Sequence, residues 1–92
     1  MKFKTGRLMQ TAGIVDAISQ SKEFGNFVAA SLKRYCACDW GEVGKEDFEC
    51  NDEAIKSGAR IFAVYLDKYD TKIWIITEAD RSCTTILFPD EY

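Results

Sequence analysis

Residues 60–88 read RIFAVYLDKYDTKIWIITEADRSCTTILF, and this stretch decides the fold. It contains three runs rich in β-branched and aromatic residues, which lie at Arg60–Leu66, Lys72–Thr77 and Ser82–Phe88. This composition favours strands, and the two short polar loops between the runs predict an antiparallel meander. The first run is apolar on both of its alternating faces, so we expect a central strand that is covered on both sides.

The residues before this stretch predict mainly helices. The clearest helix has an apolar stripe at helical spacing, which consists of Phe24, Phe27, Val28, Ser31, Leu32 and Tyr35. A shorter helix is expected over about 13–20, and a third over about 45–57, where Gly58 supplies a left-handed C-cap. Residues 3–10 predict a short strand.

The order of these elements predicts an α+β fold. Helices that precede a meander in the chain must cover one face of its sheet. We therefore predict a single domain over residues 1–92, in which two or three helices pack on a three- to four-stranded antiparallel sheet with a C-terminal β-meander. A chain of 92 residues has room for one such core.

Charge and hydropathy argue against several classes of protein. The formal net charge is -3 and the pI is near 4.9, which disfavours nonspecific binding to nucleic acid or to anionic membranes. No apolar run approaches the roughly 18 residues of a transmembrane helix, and the basic N-terminus lacks the apolar run of a signal peptide. We therefore expect a cytoplasmic protein that does not contact membranes or bind nucleic acid directly.

The chain lacks histidine, which removes the commonest general base and the commonest zinc ligand. Its four cysteines are Cys36, Cys38, Cys50 and Cys83. Their spacing matches zinc sites poorly, so reduced thiols are expected, with Cys50 and Cys83 as small buried side chains. The sequence predicts no catalytic residue, no metal site and no cofactor.

The carboxylates offer an alternative function. A small metal-dependent hydrolase or nuclease would use Asp39, Glu78 and Asp80 to hold Mg²⁺. Their spacing matches neither an EF-hand nor a nuclease pattern. A solvated helix face with loop caps is therefore the favoured interpretation of the acids.

Two loop features have both a structural and a functional interpretation. Trp40 is either an anchor in the core or an exposed binding residue, and the anchor is favoured because its glycine-flanked loop must be held in place. In the loop Glu78–Ser82, Asp80 can build the turn while Arg81 pairs with Glu78 or another acid. A functional patch on the same loop is an equally good interpretation.

Several motifs together resemble a known family. They are Asp39-Trp40-Gly41, Asp47, Asn51, Asp52, Ala54, Gly58–Ile61, Ile73–Ser82, Thr84–Leu87 and Pro89–Tyr92. The chain resembles the small "plasmid-related" proteins of bacterial plasmids, conjugative elements and phages. The family pattern has a histidine and a glycine where this chain has Tyr35 and Cys38, so no catalytic role built on that histidine carries over. The resemblance implies a mobile-element origin and brings no activity with it.

These observations lead to a functional hypothesis with a candidate patch. We expect a non-enzymatic protein-binding module that acts on a host component such as a defence system. A structural accessory subunit of a DNA-transfer complex is a further alternative. The patch consists of the polar signature residues together with the loop tryptophan: Asp39, Trp40, Asn51, Asp52, Glu78, Asp80, Arg81 and Thr84. These residues form either a network that fixes the fold or a recognition surface.

Overall fold

The computed structural model describes residues 2–92, so Met1 of the predicted domain lies outside the described residues. Within that range the helices are α1 (Ala12–Gln20), α2 (Lys22–Cys36) and α3 (Lys45–Ser57). The strands are β1 (Arg7–Gln10), β2 (Ile61–Leu66), β3 (Lys72–Thr77) and β4 (Cys83–Leu87), followed by a 3₁₀ turn at Pro89–Glu91. The predicted α+β class is confirmed.

The helix ends follow from local chemistry. The Ser21 hydroxyl accepts a hydrogen bond from the Phe24 amide at 3.1 Å and caps the start of α2. Gly58 ends α3 with a φ of 77°, as its position after the last apolar residue predicts. None of the helices within residues 2–92 is long and apolar enough to cross a membrane.

The four strands form one mixed sheet in the order β1-β4-β3-β2. β2, β3 and β4 are antiparallel neighbours, as the meander predicts, but β1 pairs with β4 in parallel. The prediction of a purely antiparallel sheet is therefore wrong. Three helices and two strands separate β1 from β4 in the chain, and so long a connection does not impose the antiparallel direction that a hairpin does.

The position of β2 also differs from the prediction. It is an edge strand rather than a central one, and β3 and β4 occupy the middle of the sheet. The prediction assumed that both apolar faces of β2 are covered. In the structure the second face is only half-buried at Phe62 and Val64. Leu66, on that same face, is 36% exposed.

The core lies between the helices and one face of the sheet, which we call the inner face. The inner face consists of Ile61, Ala63, Tyr65, Ile73, Ile75, Thr77, Thr84 and Ile86. Ile14 of α1 and the stripe of α2 pack on it, and Phe3 joins the same cluster from the N-terminal segment. Residues 3–6 precede the strand rather than forming part of it, so the predicted strand 3–10 is shorter than expected.

Candidate functional site

The eight residues of the predicted patch do not share one surface. Trp40, Asn51 and Thr84 are buried, Asp39 and Arg81 are half-buried, and Asp52, Glu78 and Asp80 are exposed. All but Glu78 use side-chain atoms to bond elsewhere in the same chain. Most of the signature is thus a network that holds loops, helices and strands together.

Trp40 is the core anchor that the sequence favoured. Its side chain is 0% exposed, and its ring centroid lies 5.4 Å from that of Tyr35 and 5.9 Å from that of Phe3. The indole Nε1 donates to Asp52 Oδ1 at 2.9 Å, which satisfies the polar atom of an otherwise apolar side chain. Asp52 therefore fastens α3 to the loop that carries Trp40.

Asn51 closes part of the outer edge of β2. Its Nδ2 donates to the Phe62 carbonyl at 2.6 Å, and its Oδ1 accepts from the Phe62 amide at 3.2 Å. Two residues further along β2, the Val64 amide donates to the Trp40 carbonyl at 3.3 Å, and the Val64 carbonyl accepts from the Glu42 amide at 2.7 Å. The chain thus supplies partners for the outward backbone groups of Phe62 and Val64 from one side chain and one loop.

The glycine of the Asp-Trp-Gly motif makes that approach possible. Gly41 has a φ of 74°, in the left-handed region that disfavours other residues, and it bridges to Val64. A Cβ at this position would overlap the Val64 carbonyl oxygen. The motif is therefore explained by the fold.

Asp39 orders the same loop from its other end. Its carboxylate accepts from Arg34 Nε at 2.7 Å and from the Gly41 amide at 3.2 Å. The hydrogen bond from Arg34 holds the pKa of Asp39 below its usual range. The Tyr65 hydroxyl donates to the Asp39 carbonyl at 2.7 Å, and burial raises the pKa of that phenol. Asp39 is thus a half-buried loop residue with a cationic partner.

A chain of hydroxyl groups crosses the core beneath α2. Thr84 Oγ1 donates to the Thr5 carbonyl at 2.7 Å, so its single proton is already used. Thr77, 2.7 Å away, must therefore donate to Thr84, and Tyr35, 2.6 Å from Thr77, must donate to Thr77. The Thr5 carbonyl thus sets the direction in which all three of these hydroxyl groups donate. Tyr35 is thus a buried structural residue.

Arg81 bonds to backbone carbonyls rather than to an acid, so the predicted pairing with Glu78 or another acid is wrong. Its guanidinium donates to the carbonyl of Ala54 at 2.9 Å, of Ala59 at 2.7 Å and of Glu78 at 3.2 Å. The first two lie at the C-terminal end of α3, where a cation is favourable. Arg81 itself has a φ of 60°, an uncommon conformation for a residue with a side chain. The β3–β4 loop is therefore fastened to α3.

The acids proposed for metal binding do not come together. Residues 2–92 contain no group of three histidine, cysteine, aspartate or glutamate side chains that could hold a metal ion. Asp39 is paired with Arg34, and Asp80 Oδ1 accepts from the Ser82 amide at 2.9 Å, which builds the turn as the sequence predicted. The hydrolase or nuclease alternative has no geometric support in this arrangement.

The four cysteines are free thiols. Cys50 is exposed on α3, so its predicted burial is wrong, whereas Cys83 is half-buried. Burial raises the pKa of the Cys38 thiol, which disfavours the nucleophilic thiolate at neutral pH.

A second set of mainly apolar side chains lies on the side of the sheet opposite the helices, which we call the outer face. It consists of Phe62, Val64, Leu66, Trp74, Ile76, Thr85, Leu87 and Met9. Ile76 and Leu87 are buried, and the other six are half-buried or exposed. The Trp74 ring stands edge-on to Phe62 at 5.0 Å and to Tyr92 at 5.7 Å, so the C-terminal residue lies across this face. In the sequence this face corresponds to the second apolar set of RIFAVYL, a pattern that predicts a strand covered on both sides.

A cavity of about 270 Å³ opens on the outer face. It is lined by Arg60, Phe62, Trp74, Ile76 and Tyr92. Arg60 donates to the Tyr92 hydroxyl at 2.7 Å, and its guanidinium lies 5.2 Å from the centre of the Tyr92 ring. The cavity therefore has apolar walls and one cation at its rim.

A larger groove of about 640 Å³ runs between the start of α2 and the β2–β3 hairpin. Phe24, Phe27 and Leu66 contribute to its apolar lining. Glu23 and Lys68, which both line the groove, form an ion pair at 3.3 Å. Part of the groove is thus occupied by the protein's own charges.

Comparison of the chain with protein-family models, with curated proteins and with solved structures finds no match. The resemblance to plasmid-related proteins therefore stays a prediction.

Proposed function

We propose that this protein is a non-enzymatic binding module that contacts a protein partner through the outer face of its sheet. The observation that carries the proposal is the cavity bounded by Phe62, Trp74 and Tyr92, with Arg60 at its rim. Aromatic residues and arginine are the side chains most enriched at binding hot spots between proteins. Phe62 and Trp74 stand on β2 and β3, while Arg60 directly precedes β2 and Tyr92 follows the 3₁₀ turn.

The size of the cavity favours a side chain over a small-molecule ligand. Its volume of about 270 Å³ falls below the about 300–1,000 Å³ that is typical of ligand and cofactor pockets. One aromatic or large aliphatic side chain would fill it, and neighbouring residues of the partner would then cover Leu66 and Trp74.

The rim supports a partner of complementary charge. A guanidinium has five N–H donors, and the Arg60 bond to Tyr92 uses one of them. Lys72 and Arg7 project from the same face at opposite sides of the sheet. We therefore propose a partner segment in which an apolar anchor residue is flanked by a carboxylate.

The decisive test compares two double variants. In each, one exposed cation is replaced with glutamate and the aromatic ring next to it is replaced with alanine. Arg60→Glu/Tyr92→Ala removes the cation and the ring at the cavity, whereas Lys68→Glu/Tyr69→Ala removes a similar exposed cation–ring pair on the β2–β3 hairpin. Trp40 and Arg81 belong to the patch predicted from the sequence, but they are not replaced in this test because both residues hold the fold together. Both double variants should keep the circular dichroism spectrum of the wild type.

Affinity capture from bacterial lysate, followed by titration with the purified protein found, gives the readout. A partner that binds the wild type and the hairpin variant, but binds the cavity variant at least about 10-fold more weakly, supports the proposal. Equal binding by both variants would place the contact elsewhere, and capture of nothing at all would count against a binding module. The host component expected from the sequence, such as a defence protein, is one identity that this capture can name.

A further inference from the structure

The two edge strands of the sheet differ in whether their outward backbone groups have hydrogen-bond partners within the chain. At the β2 edge, Asn51 and the loop around Gly41 occupy the outward backbone groups of Phe62 and Val64. At the β1 edge, the Arg7 amide donates to the Ser82 carbonyl at 3.0 Å and the Thr11 amide donates to the Ile86 carbonyl at 3.1 Å. The odd-numbered residues of β1 thus bond inward to β4.

Since backbone groups alternate along a strand, Leu8 and Gln10 direct their amides and carbonyls away from the sheet. Among residues 2–92, no side chain or loop bonds to these outward groups. All four residues of β1 are exposed, with Leu8 at 53% and Met9 at 45%. An exposed strand edge with apolar side chains is a template for pairing with another strand.

We infer that the β1 edge pairs with β1 of a second copy of this chain, in an antiparallel arrangement about a two-fold axis. The axis passes beside Met9, so that Leu8 bonds with Gln10 of the second copy and Gln10 bonds with its Leu8. This register uses all the outward groups of both strands and forms four hydrogen bonds between the chains. The φ of 65° at Gly6 and the start of α1 at Ala12 bound the strand and make other registers shorter.

The register is self-complementary in charge and in apolar character. Arg7 lies opposite Thr11 of the second copy, so no like charges face each other across the pair. Met9 meets Met9 of the second copy at the axis. α1 contacts β4, one strand in from the edge, and leaves Leu8 exposed beside the junction.

Pairing of this kind joins the two sheets into one of eight strands. Because the axis is perpendicular to the sheet, both outer faces lie on the same side. The dimer does not depend on the proposed binding function, and loss of either leaves the other intact.

The first test is the mass of the wild type in solution, measured by sedimentation equilibrium from about 10 μM to about 1 mM. The wild type should approach twice the chain mass of 10.4 kDa as concentration rises. Leu8→Pro removes an outward amide without touching a bond to β4, so it should stay at the single-chain mass and keep the wild-type fold by circular dichroism. Val15→Ala, a change at a 52% exposed residue outside the strand, is the control and should associate like the wild type.

The second test fixes the register by cross-linking. Met9→Cys brings two thiols together across the axis, with Cα atoms about 4.5 Å apart, within the range of a disulfide. Leu8→Cys, which faces Gln10 of the second copy, should not cross-link. Both variants carry Cys36→Ser, Cys38→Ser, Cys50→Ser and Cys83→Ser, so that the introduced cysteine is the only thiol.

Dimer-sized product from Met9→Cys alone is the expected result under mild oxidation. A wild type that remains at the single-chain mass up to about 1 mM, or cross-linking from Leu8→Cys rather than Met9→Cys, overturns the inference.

Discussion

The side chain of Asn51 forms two hydrogen bonds with the backbone of Phe62, donating to its carbonyl at 2.6 Å and accepting from its amide at 3.2 Å. A side-chain amide thereby replaces the neighbouring strand that an edge residue lacks. The bonds also fix α3 to β2, since Asn51 lies in the middle of that helix and is buried.

Replacing Asn51 with leucine should lower the free energy of unfolding by about 2–4 kcal/mol. The substitution leaves the Phe62 amide and carbonyl without partners, and each unsatisfied buried group costs about 1–3 kcal/mol. Urea unfolding measures the change. Glu53→Leu, at an exposed position of the same helix, should stay within about 0.5 kcal/mol of the wild type. Equal stability of the two variants would show that the bonds to Phe62 contribute little.

Thr77→Val should be destabilising although the two side chains have the same shape. Valine removes the hydroxyl between Tyr35 and Thr84, so Tyr35 loses its acceptor in a fully buried site. We expect a loss of about 2–3 kcal/mol in the free energy of unfolding, measured by thermal or urea unfolding. Thr85→Val, on the outer face, is the matched control and should change stability by less than about 0.5 kcal/mol. A tolerated Thr77→Val would contradict the ordered hydroxyl chain.

Arg81→Lys should lower stability by about 1.5–3 kcal/mol, because a single ammonium cannot reach the three carbonyls that the planar guanidinium contacts. The loss should appear in urea unfolding, and it should be accompanied by faster amide exchange in the last turn of α3. Arg7→Lys makes the same chemical change on exposed β1 and should have little effect on unfolding. If both variants unfold alike, the role of Arg81 at the end of α3 is refuted.

Stability should fall in alkaline solution because two buried phenols keep their protons in the folded state. Burial raises the pKa values of Tyr35 and Tyr65 above the ordinary 10.0. A tyrosine whose pKa is raised by folding contributes its full stability below pH 10.0, the ordinary pKa that it has in the unfolded chain. This contribution is lost as the pH rises above that value. Each tyrosine then weakens folding by up to about 1.4 kcal/mol per pH unit.

Urea unfolding between about pH 9 and pH 11.5 measures this slope in the range where tyrosines ionise. Tyr65→Phe should make the slope shallower than that of the wild type, while Tyr69→Phe, at a 69% exposed position, should not alter it. A slope that is the same in all three proteins would argue against tyrosine ionisation as its origin.

Helix positions could be predicted well because they depend on local patterns. The range 45–57 was expected for α3 and is observed, since acids in its first turn and Gly58 after its last turn act within a few residues of the chain. The apolar stripe from Phe24 to Tyr35 similarly fixed both the existence of α2 and the side that packs on the core. The three strands of the meander were predictable for the same reason.

Strand order could not be predicted in full. The direction of β1 depends on where the chain returns after more than 60 residues, and nothing in the four residues of β1 determines that. β2 was expected to be central because both its faces are apolar. A half-buried apolar face has the same pattern in sequence as a fully buried one.

The amino-acid sequence by itself determined the element types, the α+β class and the helix ends, because these follow from neighbours in the chain. Only the tertiary structure decided that Trp40, Asn51, Thr84 and Arg81 serve the fold, because their partners lie between 11 and 79 residues away. The same residue types could equally have formed an exposed patch. Burial and hydrogen bonding between distant segments distinguish the two roles, and both arise only when the chain folds.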